Sequence, residues 1–104
     1  MESHQGKDLR TPLEHALSKI CGKWKSRIIS SLGTKGPMRY SLLREEAFGV
    51  FDTMLSKTLR EMAQDDIVEC LTIDRSSSRP HSEYRLTAKG WDVFVALRFL
   101  CDWA

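Results

Sequence analysis

The chain has few cysteines and none close together. Cys21, Cys70 and Cys101 are widely spaced, and no CxxC or His/Cys cluster occurs. That pattern argues against a zinc site and a disulfide framework, and scattered thiols in odd number fit a reducing cytosol. Long apolar runs are missing as well. With no apolar N-terminal segment and no stretch of about 18 apolar residues, neither a signal peptide nor a membrane span is predicted, and the expected location is cytoplasmic. Walker, Rossmann and metalloprotease spacings are absent. A Cys21 nucleophile served by a His15 base would lack both a Gly-rich oxyanion loop and an orienting acid. The expectation is a non-enzymatic protein without cofactor or metal. There are no internal repeats, and the Ser76-Ser77-Ser78 run is the nearest approach to low complexity.

Acidic residues are missing from one long segment. Between His15 and Arg44 there are none, whereas Lys19, Lys23, Lys25, Arg27, Lys35, Arg39 and Arg44 are all basic. The acids gather at Glu45, Glu46, Asp65, Asp66 and Glu69. A net charge of +2 proves no polyanion partner, but this asymmetry suits one face turned toward phosphate. Its bland alternative is a solvated basic face. At 104 residues, 41% hydrophobic and 29% charged, the chain reads as one small globular domain over 11–104. A polar arm, 1–10, precedes it.

Along the chain, Thr11-Pro12-Leu13-Glu14 is a helix start with a T-x-x-E capping box and proline at the first helical position. Leu13, Ala16, Leu17 and Ile20 mark one face of helix 1, which Gly22 ends. Helix 2 is predicted from about Lys23 to Leu32, with Trp24, Ile28, Ile29 and Leu32 inward; Gly33 and Gly36-Pro37 break it. Met38-Arg39-Tyr40 reads as a short extended piece. Ser41 reads as the cap of helix 3, about Leu42 to Ala47. Asp52 reads as the N-cap of helix 4. Val68–Ile73 and Ser82–Leu86 read as strands joined by a polar loop from Asp74 to His81. Thr87 should cap a last helix from about Ala88 to Trp103.

Two closely spaced amphipathic helices followed by an arginine-bearing hairpin make a winged helix-turn-helix: a mainly α fold with a small β-hairpin (α+β). The helix-turn-helix is placed at 41–66, the wing at 67–86 and a dimerisation helix at 87–104. At about 100° per residue, Leu55, Thr58, Leu59 and Met62 share one side of helix 4, and Thr53, Ser56, Lys57 and Arg60 share the other. The second group is the candidate DNA-reading face, with Arg60 able to grip a guanine or a phosphate through both arms of its guanidinium. A solvated helix face is the plain alternative for such residues; the brace helix and basic hairpin around them favour DNA. Arg39, Ser41 and Lys25 are further DNA candidates, and Lys23 and Arg27 flank the start of helix 2. Arg75 and Arg79 in the hairpin loop, near His81 and Arg85, would straddle the backbone or enter the minor groove.

Most residues of the last helix are Ala, Val, Leu, Phe, Trp or Cys, spread around its circumference, with Arg98 and Asp102 as the clearest polar strip. A helix apolar on most sides must bury more than one face. In so small a domain the economical cover is a second copy. The expected interface comprises Leu13, Leu17, Trp91, Phe94, Val95, Leu97, Phe99, Leu100 and Trp103.

Pro12 to Lys25 (P-L-E-H-A-L-S-K-I-C-G-K-W-K) resembles the opening of the HxlR-type winged helix-turn-helix transcriptional regulators. The likeness continues through Gly36 to Arg44, similar to a family G-P-x-R-F-S-E-L-R, then through Met54–Met62, Glu83–Gly90 and Asp102-Trp103. It covers about Pro12 to Ala104 in order and at matching spacing. The resemblance implies a bacterial, dimeric regulator whose first and last helices build the dimer and whose helix 4 reads a palindromic double-stranded operator. Some members carry a redox-sensing cysteine just before the helix 1 proline, where this chain has Thr11. Asp66 stands where the family usually has Gly, and Cys21 where a small residue is common. Two other readings stay open: a winged-helix protein–protein module, and a sensor holding a small-molecule effector between helix 1, helix 5 and the base of the wing, near Trp24, Trp91, Phe94 and Trp103.

Overall fold

The computed structural model describes residues 11–46, 51–73 and 81–104. The expected arm at 1–10, Ala47 at the end of helix 3, the stretch 48–50 before helix 4 and the loop 74–80 with Arg75 and Arg79 lie outside the described residues. So do the side chains of Lys23, Ile73 and His81.

Helix α1 (Pro12–Ile20) begins on the expected capping box: Glu14 N–H donates to Thr11 Oγ1 at 3.1 Å, and Thr11 N–H to Glu14 Oε1 at 2.8 Å. Gly22, at φ 132°, turns the chain into α2 (Lys23–Lys35). That helix runs through Gly33 instead of breaking there. A Cβ at Gly33 would collide with the Phe94 ring of the last helix, so the glycine admits a packed neighbour. The stop comes at Gly36, whose φ of 89° favours glycine.

Strand β1 (Met38–Arg39) leads straight into α3 (Tyr40–Glu46). Ser41 is therefore inside the helix and is not its cap, because Tyr40 enters the first turn, with its ring on the core and its hydroxyl toward the next helix. Helix α4 (Asp52–Gln64) also starts one residue early: Phe51 is the N-cap, without a side-chain hydrogen bond, and Asp52 is the first helical residue. The Asp52 carboxylate is drawn to Arg44 Nε, 2.9 Å away, and does not fold back on its own helix.

β2 (Val68–Ile73) and β3 (His81–Leu86) form the hairpin, with Cys70 opposite Tyr84 and Val68 opposite Leu86. β1 adds a third antiparallel strand on the far side of β3, giving the order β1-β3-β2. A strand of two residues has no period to read in the sequence. Helix α5 (Ala88–Trp103) is capped by Thr87, whose Oγ1 accepts from Gly90 N–H at 3.0 Å and donates to Asp66 O at 2.6 Å.

One core joins these elements: Ile28, Ile29 and Leu32 of α2, Leu43 of α3, Leu55, Leu59 and Met62 of α4, with Met38, Val68 and Leu86 from the sheet and Ile67 just before β2. Each such side chain stabilises the fold by about 1.5–3 kcal/mol. The inward faces of α2 and α4 are those their periodicity marks. α1 buries no residue. Among the described residues no helix is long and apolar enough to cross a membrane.

Candidate nucleic-acid interface

With Leu55, Thr58, Leu59 and Met62 buried, the opposite side of α4 faces outward. Thr53, Lys57 and Arg60 are exposed there, at spacings of four and three residues. Among the described residues neither Lys57 nor Arg60 has an ion-pair partner. Several other cations are neutralised: Lys19 by Asp65 at 3.1 Å, Lys35 by Glu46 at 2.6 Å and Arg85 by Glu69 at 2.8 Å. The outer face of α4 thus carries positive charge that nothing described cancels. Arg39 is exposed on β1 and Ser41 on α3.

Two candidates sit differently. Lys25 is mostly buried and its Nζ lies 3.6 Å from Glu61 Oε1, so its charge bridges α2 and α4. Ser56 is half-buried, its Oγ 3.3 Å from Tyr40 Oη. Tyr40 is the residue that sequence reasoning missed. Its hydroxyl also lies 3.2 Å from Asp52 O and 3.4 Å from Asp52 Oδ1. A tyrosine where the family pattern has Phe was the available signal.

Behind this face α3 is held to α2. Glu46 accepts from Lys35 Nζ and, at 3.3 Å, from Ser31 Oγ. The hydrogen bond from the Lys35 ammonium holds the Glu46 carboxyl below its ordinary range, while burial pushes the other way. Asp66, in the turn after α4, has φ 62°, where glycine is favoured. Its N–H donates to Ala63 O at 3.0 Å and that of Ile67 to Met62 O at 2.9 Å, a Schellman turn closing α4.

The expected dimer residues divide in two. Leu13 (67% exposed), Phe99 (70%) and Trp103 (85%) lie bare in the single chain, with Trp91, Val95 and Leu100 also exposed. Phe94 and Leu97 instead pack on the core, Phe94 edge-on to Trp91 with centroids 5.6 Å apart. Leu17 is half-buried. An apolar groove of about 340 Å³ runs between α2 and α5, lined by Ser26, Ser30, Phe94, Leu97, Arg98, Leu100, Cys101 and Ala104. Of the aromatics expected around an effector, only Phe94 lines it. All three thiols are exposed. Among the described residues no group of three or more His, Cys, Asp or Glu could hold a metal ion.

The family model described as HxlR-like helix-turn-helix matches residues 19–104. MalR of Fusobacterium mortiferum, named as a regulatory protein, is 33% identical over 91 residues, covering 88% of this chain and 84% of its own. YdzF of Bacillus subtilis, named as an uncharacterized HTH-type transcriptional regulator, is 31% identical, covering 90% and 84%. Among solved structures, a transcriptional regulator from Enterococcus faecalis V583 ascribed to the MarR family superposes with a TM-score of 0.79 at 32% identity, covering 98% of this chain and 90% of that one.

Proposed function

Because the chain belongs to the HxlR-like helix-turn-helix family of DNA-binding transcriptional regulators, not enzymes, we propose that it acts as a homodimer reading a two-fold operator in the cytoplasm. α4 lies in the major groove. Thr53, Lys57 and Arg60 reach base edges and phosphates, Arg39 and Ser41 approach the backbone, and Arg75 and Arg79 of the wing take the adjacent backbone or minor groove. The observation that carries this reading is the uncancelled charge of Lys57 and Arg60 on a helix whose other side is buried.

Pairing of two copies through α1 and α5 covers Leu13, Phe99, Leu100 and Trp103, which otherwise stay in water. The groove between α2 and α5 opens onto the same apolar helix and supports a second reading, in which a small effector binds beside the interface.

Mobility shifts on genomic fragments, including the gene's own promoter, test the DNA reading. Affinity should fall steeply as salt rises from about 50 to 200 mM, as counterion release requires. Arg60→Ala should cost about 1–3 kcal/mol if Arg60 reads a base. Binding indifferent to salt and to this substitution would sink the assignment.

A further inference from the structure

We propose that Tyr40 is a positioning residue for the recognition helix, and that the Ser56 hydroxyl serves it and does not read a base edge. The inference rests on the DNA-binding reading of α4. Residues 40 and 44 are one turn apart on α3, and 52 and 56 are one turn apart on α4. The two pairs face each other. Tyr40 Oη lies 3.2 Å from Asp52 O and 3.3 Å from Ser56 Oγ, and Arg44 Nε lies 2.9 Å from Asp52 Oδ1.

The far end of α4 is already fixed by the Schellman turn and by Thr87, which donates to Asp66 O. The near end has no side-chain cap, since Phe51 makes no capping bond. The Tyr40–Asp52–Ser56 contacts therefore hold the end that carries Thr53 and Lys57. The hydroxyl has one proton: it donates to an Asp52 oxygen and accepts from Ser56 Oγ–H. At 3.2–3.4 Å these contacts are long for O–H···O bonds, so they add little to stability. Their effect is on aim. A small rotation of α4 moves the tips of Lys57 and Arg60 together relative to the bases, and base hydrogen bonds are lost faster than phosphate attraction.

The test uses DNA selected from a random library by the full-length wild-type protein, with an unrelated duplex as the non-specific probe. Tyr40→Phe keeps the ring in the core and should leave Tm within the scatter of the wild type. Its affinity for the selected DNA should fall about three- to tenfold, the size of one hydrogen bond. Affinity for the unrelated duplex and the salt slope should stay unchanged. Ser56→Ala should cause a similar loss, and the double variant no more than either single one. Wild-type selectivity in Tyr40→Phe, or an equal loss on both duplexes, overturns the inference while leaving the DNA reading intact. Additive losses in the double variant return Ser56 to the DNA and overturn its part. A wild-type protein that enriches no sequence overturns both the DNA reading and the inference.

Discussion

Asp66 shows how one residue can carry strain that a neighbouring fold tolerates. Its backbone sits at φ 62°, a region that costs a side-chain-bearing residue roughly 1–2 kcal/mol, and it stays there because the Schellman turn and the Thr87 hydroxyl both need it. Asp66→Gly should raise stability by about 0.5–1 kcal/mol in denaturant melts, the relief being partly offset by glycine's unfolded freedom. Gly90 poses the opposite case, since a Cβ there would strike the Ile67 carbonyl, which is backbone and cannot yield. Gly90→Ala should therefore cost about 1–3 kcal/mol and exceed Gly33→Ala, whose obstacle is the ring of Phe94. Glu46 adds a pH dependence. Its folded pKa is depressed by Lys35, so the contribution is present above the unfolded value of 4.5 and is lost as pH falls through the lower folded value. Thermal melts of wild type and Glu46→Gln should differ near neutral pH and converge in acid.

At the scale of elements, periodicity was readable wherever a helix packs one face on the core. The buried set of α4 and the inward set of α2 follow from their sequences because burial there is one-sided and local. Signals that depend on distant partners were not readable. Gly33 looks like a helix breaker until Phe94 fills the space beside it, and the extended piece legible at Met38-Arg39 becomes a third strand only because β3 lies next to it. Asp52 looks like a cap until Arg44 and Tyr40 claim it. The site was legible in the same measure: Thr53, Lys57 and Arg60 lie outward as their spacing implied, while Lys25 and Ser56 are engaged by Glu61 and Tyr40. α5 reads as apolar on most sides, and most of its surplus is exposed in the single chain. Phe99→Ser and Trp103→Ser should leave the monomer's own core intact yet shift the proposed dimer toward monomer in sedimentation experiments. A dimer that persists through both would move the interface elsewhere.

For the whole molecule, the proposed function depends on two copies at once. One recognition helix offers few base contacts, and the proposed two-fold pair would double them while fixing their separation through α1 and α5. The interface and the reading face are thus linked: a variant that loses the dimer should also lose operator affinity, although its α4 is unaltered. The most direct check is selection of bound sequences from random DNA at a stated salt concentration, followed by footprinting of the enriched site. The dimeric reader should enrich two inverted half-sites whose centres lie about 34 Å apart, one helical turn, or a multiple of it. Enrichment of a single unpaired half-site, or of no sequence, would contradict it.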